Sequence, residues 1–261
     1  MPFVFKEIDG LGLYEVSGWE GARGIFTTRL GGVSPAPYDS LNLGGGSGDD
    51  PALVAKNRAL LAGALGLKGR AITTVNQVHG DGICVVDGGD RRPRPDRDAM
   101  ITNERGVALG VVTADCAPVL MYDPVRGAVA SVHAGWAGTV KGIAGGAVMK
   151  MGEVYGSRPA DLKVAIGPSI GPCCYEVGMK VMGPLGDALP GASGLASPSG
   201  RNGRFMLDLW ETNRRILLMA GVRPGNIAVM GLCTACNPNK FFSHRKSGGR
   251  AGRMMAVALL K

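Results

Sequence analysis

Apolar and polar positions fall into short runs separated by glycine-rich breaks. Residues 22–28 (ARGIFTT) predict a strand, and the stretch from Gly31 to Gly48 predicts turns. Asp49, Asp50 and Pro51 are helix-start residues. The helix they open is predicted to reach Leu65, with Leu53, Leu60, Leu61 and Leu65 at near-helical spacing and Gly66 as the stop. Short β-type runs follow at 71–78 and 82–87, and the segment 88–97, crowded with Arg and Pro, reads as a loop. Three apolar runs, 107–113, 117–122 and 127–133, predict neighbouring strands of one sheet. A helix is expected after Gly135 to Thr139, running to about Tyr155, then a strand at 162–167. Residues 186–204 are rich in Gly, Ser, Pro and Ala and predict a mobile loop. Asp208 with Glu211 three residues later has the form of a capping box for a helix ending at Ala220, before Gly221 and Pro224. Strands at 226–231 and 253–260 complete the pattern.

Strands outnumber helices and do not alternate with them regularly, which predicts an α+β fold. With 261 residues and no linker or internal repeat, the chain is expected to be a single domain over 1–261. The 43 glycines have no collagen-like period and read as tight turns and close backbone approaches. The start, MPFVFKEIDG, is not a signal peptide, and no apolar run is long enough to span a membrane. Six cysteines without a secretory signal indicate a reducing, cytoplasmic setting with free thiols. The net charge of +8 favours anionic partners such as phosphate. Aromatic residues are too few, and too little interleaved with basic ones, for a nucleic-acid surface.

Two of the three histidines sit where strands end and glycines begin, at Val78-His79-Gly80 and Val132-His133-Ala134-Gly135. Between them, Asp115-Cys116 breaks two apolar runs. Two imidazoles and one thiolate are a donor set suited to zinc, and three protein ligands leave a fourth position open, as catalytic zinc requires. A metal-bound water would have a pKa near 7. The same residues could instead serve a metal-free cysteine hydrolase, with Cys116 as nucleophile and His133 as base. Cys233-x-x-Cys236 has no second Cys-x-x-Cys to complete a structural zinc site. It and Cys84, Cys173 and Cys174 read as packing or loop residues. The Gly135–Thr139 turn opening a helix, and Arg29 in a turn after a strand, are candidate phosphate binders.

Seven segments together resemble one family. They are Phe26-Thr27-Thr28-Arg29-Leu30-Gly31-Gly32-Val33-Ser34, Leu41-Asn42-Leu43-Gly44, Asn76-Gln77-Val78-His79-Gly80, Thr113-Ala114-Asp115-Cys116, His133-Ala134-Gly135-Trp136, the stretch Ile166 to Gly178, and Cys233-Thr234-Ala235-Cys236 with Phe241-Phe242-Ser243. In order and spacing they are similar to the laccase-domain (YfiH-type) family, also called polyphenol oxidase and purine nucleoside phosphorylase. The resemblance implies a four-layer α/β/β/α sandwich with mixed sheets. It implies a zinc on His79, Cys116 and His133, and phosphorolysis of adenosine, inosine and methylthioadenosine with adenosine deamination alongside. It adds Asn42 and Arg245 to Arg29 and Gly135 as substrate or phosphate contacts, in a monomer or weak homodimer. Copper could enter the same N/S site, but three histidines are too few for a multicopper centre. Peptidoglycan-precursor editing, attributed to some family members, is a further hydrolase reading of the same pocket. Two departures stand out: Ala137 occupies the place of the family's usual arginine, and Phe241-Phe242-Ser243 is followed by His244-Arg245-Lys246.

Overall fold

The computed structural model describes residues 2–88 and 96–261, so most of the loop expected at 88–97 lies outside the described residues. The first elements are β1 (Phe3–Ile8), β2 (Leu11–Val16), β3 (Ala22–Thr27), α1 (Pro51–Ala64), β4 (Ile83–Val85) and β5 (Ala99–Thr102). The middle holds β6 (Ala108–Thr113), β7 (Ala117–Asp123), β8 (Ala128–Ala134), α2 (Trp136–Val140), α3 (Ile143–Tyr155) and β9 (Lys163–Ile166). Then come β10 (Glu176–Gly178), α4 (Met179–Ala188), β11 (Ala196–Pro198), β12 (Arg204–Leu207), α5 (Leu209–Met219), β13 (Ile227–Val229) and β14 (Met254–Leu260).

Two sheets face each other. One is five-stranded and antiparallel, in the order β1-β2-β3-β14-β6, and the other is six-stranded and mixed, in the order β13-β9-β7-β8-β5-β4. Period-2 alternation decides what each face meets. In β14, Met254, Ala256 and Ala258 point between the sheets, where they join Phe26, Leu109, Leu120 and Val129. Met255, Val257 and Leu259 point outward to Leu61 and Ala64 of α1. In β7, Ala117, Val119 and Met121 point away from the first sheet, towards Ala144, Ala147 and Met151 of α3 and Leu217 of α5. Both faces of each central strand are therefore covered, and the layers stack as α/β/β/α. No helix among the described residues is long and apolar enough to cross a membrane.

Several expectations are corrected. β6 belongs to the first sheet, not beside β7, because it pairs along its length with β14. The chain crosses from one sheet to the other at 114–116. Residues 71–78 form only isolated bridges, Thr73 with Leu109 and Asn76 with Asp96. The segment 186–204 is not one long loop: it holds the end of α4, the turn Ala192–Leu195 and β11. The helix after Gly135 is two helices, since Gly142 between them takes φ +77°. Asp208 does cap α5 by accepting from the Glu211 N–H (2.9 Å), but the Glu211 carboxylate turns to Arg214 and Arg215 instead of closing a box. β1, β2 and β5 lie in segments where no strand was expected.

The buried stripe of α1 is Val54, Asn57, Leu61 and Ala64, so Leu60 faces outward. Asn57 is polar on a buried face because it bonds to the 33–42 turn. It donates to Ser34 Oγ (2.9 Å) and Asn42 O (2.9 Å) and accepts from Val33 N–H (2.9 Å). Asp50 caps the helix by accepting from Ala52 N–H (2.8 Å). Leu61→Ala is expected to cost about 3 kcal/mol by urea unfolding with an unchanged slope, from lost burial and the cavity left behind. Leu60→Ala, one position along on the exposed face, is expected to change stability by less than about 0.5 kcal/mol.

Candidate metal centre and active site

The strand registers bring distant segments to one end of the sandwich. β7 begins where β8 and β9 end, with Pro118 opposite His133 and Val119 opposite Ile166. β6 ends where β14 begins, with Thr113 opposite Met254.

His79 reaches this end along the edge of β6. The Gln77 side chain takes the place of a strand there, donating to Val112 O (2.8 Å) and accepting from Val112 N–H (2.7 Å). The chain then turns, with His79 at φ +58°, a conformation that L residues avoid unless the surroundings impose it. What imposes it is Asp98, fully buried just before β5. Its carboxylate accepts from the backbone N–H groups of Val78 (3.1 Å), His79 (2.9 Å) and Gly80 (2.7 Å). The same carboxylate accepts from His133 Nδ1 at 2.7 Å. That bond directs Nε2 of His133 away from Asp98 and towards Cys116.

Cys116 sits in the crossover after Asp115, which takes φ +85°. Asp115 is pinned on three sides. Its carboxylate accepts from Thr234 Oγ1 (2.6 Å) and from Arg245 N–H (2.7 Å), and its carbonyl accepts from Ile170 N–H (2.9 Å). The donor atoms of His79, Cys116 and His133 all lie within 4.8 Å of one another. Cys116 Sγ is 3.9 Å from His79 Nε2. His133 is buried, Cys116 half-buried and His79 exposed, so the cluster is open on the His79 side. A Cβ on Gly135 would lie 3.0 Å from both Cys116 Sγ and the His79 ring, and one on Gly138 would lie 2.7 Å from Gly80 O. These positions are glycine because the helix start packs directly on Cys116 and on the turn that holds His79 and Gly80.

The electrostatics of the metal-free cluster are those of an ion pair. Burial pushes the Cys116 thiol up, but the neighbouring His133 and His79 outweigh it and bring the thiol down to about 6. Burial pushes the His133 imidazole down, but the Cys116 thiolate and Asp98 outweigh it and bring it up to about 9. Burial also opposes ionisation of Asp98, yet His133 and the N–H groups of Gly80 and Val78 hold its carboxyl below the usual range. Two imidazoles, one thiolate, an oriented tautomer and an open side fit a transition metal of the zinc type.

The other expected contacts are placed differently. Asn42 is fully buried, donates to Ser47 Oγ (2.7 Å) and Asp49 (2.9 Å), and accepts from Gly44 N–H (3.1 Å) and Arg253 N–H (2.9 Å). Both ends of its amide are engaged in these bonds. Arg29 donates to Asp39 O (2.6 Å), Asp39 Oδ1 (2.9 Å) and Pro238 O (2.9 Å) and stacks on Phe242, which ties it into the loops. Arg245 is exposed, donates to Glu176 O (2.9 Å) and lies over the Tyr175 ring. Thr139 is buried, with its hydroxyl directed to Ala134 O (3.3 Å).

Asp98, Tyr175 and Arg253 are the residues that sequence reasoning missed. Burial and the charge of Cys116 raise the Tyr175 phenol above its ordinary value and keep it protonated. Burial lowers Arg253, while Cys116 and Asp115 lie close enough to support its charge. The only signal for Asp98 was a carboxylate abutting the apolar run 99–101. Cys173, Cys174, Cys233 and Cys236, read from the sequence as packing or loop residues, do lie in loops, with Cys233 in the core and Cys174 packed against it. Their four sulfurs lie within 4.8 Å of one another.

Because the thiolate is the reactive form, alkylation of Cys116 in metal-free protein is expected to stay near its full rate at pH 7 and to fall as pH drops through about 6. Peptide mapping after iodoacetamide at a series of pH values measures this. An ordinary thiol would still be gaining rate above pH 8.

The sequence profile described as multi-copper polyphenol oxidoreductase laccase matches residues 23–261. The chain is 39% identical to purine nucleoside phosphorylase YlmD of Geobacillus stearothermophilus over 272 aligned positions, which cover 98% of this chain and 97% of that protein. It is 43% identical to a purine nucleoside phosphorylase of Deinococcus radiodurans, over 89% of this chain and 87% of that one. Among solved structures, YlmD from Geobacillus stearothermophilus superposes with a TM-score of 0.93 at 39% identity over the whole of both chains. Bacillus licheniformis YfiH superposes with a TM-score of 0.92 at 36% identity, over 98% of this chain and 99% of that one. Sequence and fold agree over nearly the full length, and the chain belongs to the laccase-like polyphenol oxidoreductase family that includes YfiH and YlmD.

Proposed function

We propose that this chain is a zinc-dependent purine nucleoside phosphorylase acting on adenosine, inosine and methylthioadenosine, with adenosine deamination at the same site. The observation that carries the reading is the convergence of His79, Cys116 and His133 on one point that is closed on the sheet side and open at His79. The names of the full-length relatives supply the substrate class. A zinc held by these three residues would polarise an oxygen of phosphate or water.

The chain's own groups do the rest. Asp98 keeps His133 in one tautomer and fixes the turn that carries His79. Tyr175, protonated and beside Cys116, can donate a hydrogen bond to a substrate atom. Arg245 and Arg253 bring positive charge to an end of the molecule that must hold an anion, and take the place of the arginine that Ala137 lacks. The start of α2 at Gly135 adds backbone N–H groups. In the reaction a phosphate oxygen bonds to C1′ of the ribose. The C1′–N9 bond breaks, its electron pair stays on the base, and the base takes up a proton. The products are free base and ribose 1-phosphate. Transition-state charge would be met by fixed donors rather than by reorganising water.

Chromatography of products from adenosine and inosine, with and without phosphate, tests the reaction. Ribose 1-phosphate formed only with phosphate is expected, and base release indifferent to phosphate would make the enzyme a hydrolase. The Cys116–His133 ion pair favours one alternative, a metal-free cysteine hydrolase. Activity that survives complete metal removal would select it. For the anion, Arg245→Ala is expected to raise the phosphate concentration giving half-maximal rate by about tenfold or more, as loss of a charged hydrogen bond should. Arg29→Ala is expected to act mainly through stability. Initial rates against phosphate, alongside melting temperatures, separate the two.

A further inference from the structure

Cys173 and Cys174 are about sixty residues from Cys233 and Cys236 in sequence, yet one strand pairing brings them together. β9 and β13 run parallel, with Val164 opposite Ile227 and Ile166 opposite Val229, so the loops that follow them leave from the same end of the sheet. A bridge between Ser169 and Cys233 continues the pairing beyond the strands, and Thr234 N–H donates to Ser169 O (3.0 Å). Cys236 Sγ is 3.5 Å from Cys173 Sγ and 3.4 Å from Cys174 Sγ, and all four sulfurs lie within 4.8 Å of one another. None is in a disulfide. A zinc with four sulfurs at about 2.3 Å has tetrahedral edges of about 3.8 Å, the scale on which these sulfurs are arranged.

The surroundings of Cys233 point the same way. Its sulfur is buried and accepts from the Gly171 N–H at 3.3 Å and from the N–H of Cys236, three residues on in the same turn. Backbone donors aimed at a buried sulfur suit a thiolate more than a thiol, and outer donors of this kind orient and tune metal ligands. Four thiols crowded without a cation gain little from one another. An all-sulfur, four-ligand shell selects a soft-tolerant cation and leaves no position for substrate.

We propose that Cys173, Cys174, Cys233 and Cys236 bind a second zinc, separate from the His79–Cys116–His133 centre and structural in role. It clamps the loop after β9 to the loop after β13. Thr234, next to Cys233, bonds to Asp115, and Ile170, three residues before Cys173, bonds to the Asp115 carbonyl. The clamp therefore holds the turn that presents Cys116. Binding releases the protons of those ligands that are still thiols and involves no redox change.

Elemental analysis of protein purified under reducing conditions without added metal tests the site independently of activity. Two zinc per chain are expected in the unaltered protein. A Cys116→Ala, His133→Ala variant should keep one, and a Cys173→Ser, Cys236→Ser variant should lose one and melt at a lower temperature. Because the serine variant could fail to fold, X-ray absorption at the zinc edge of the Cys116→Ala, His133→Ala protein gives a second readout, with a shell of four sulfurs expected. Zinc content unchanged by the serine substitutions, no zinc in the Cys116→Ala, His133→Ala protein, or a shell dominated by nitrogen and oxygen would overturn the proposal. Failure of the phosphorylase reading would leave the four-sulfur zinc in place, so the two are distinguishable.

Discussion

Asp98 puts a charged carboxylate where no water reaches it, and the site is built around meeting the cost. A buried carboxylate without partners would be neutralised or would unfold its surroundings. Three consecutive backbone N–H groups and one imidazole N–H satisfy it instead. The same bonds have a second effect. They hold the backbone around His79 in a turn it would not adopt alone, and they choose the nitrogen that His133 presents. Two of the three donor residues thus take their positions from a group that never needs to touch substrate.

Asp115 does the corresponding work for the third donor. The crossover from β6 to β7 must carry the chain between two sheets in a few residues, and Asp115 makes the bend with a positive φ. Its side chain and carbonyl gather Thr234 and Arg245 from the loop after β13 and Ile170 from the loop after β9. Those loops leave from strand ends that the antiparallel and parallel registers have already aligned. The geometry at Cys116 is therefore as firm as the two sheets, although every residue that forms it lies outside a strand. Gly135 and Gly138 complete the arrangement by leaving room for the helix start to close on Cys116 and the His79–Gly80 turn.

The sandwich interior explains why this end is rigid while its outer face stays open. The central strands β14, β7 and β8 are buried on both faces, which is why their sequences read as continuous apolar runs and not as alternations. A run of that kind says that a strand is covered on both sides. It does not say which sheet the strand joins, and β6 shows the consequence by pairing with β14, far away in sequence, and not with its neighbour β7.

What the amino-acid sequence determined by itself was local or compositional. The α1 start at Asp50-Pro51, the α5 cap at Asp208, the central apolar strands and the placement of His79, Cys116 and His133 at breaks between apolar runs were all legible, because capping, periodicity and loop placement act within a few residues. The four layers came into view only through resemblance of ordered motifs. Tertiary structure alone decided the rest. The bonds that tie Asn57 to the 33–42 turn and Asn42 to Arg253 join distant parts of the chain and have no mark in the sequence. Asp98 is one carboxylate among many until a loop and an imidazole converge on it. The two cysteine pairs are unrelated until the parallel pairing of β9 with β13 sends both loops off the same end of a sheet. Strand pairing between distant segments has no short-range signature, because it is set by which buried faces must cover one another and not by any residue's neighbours in the chain.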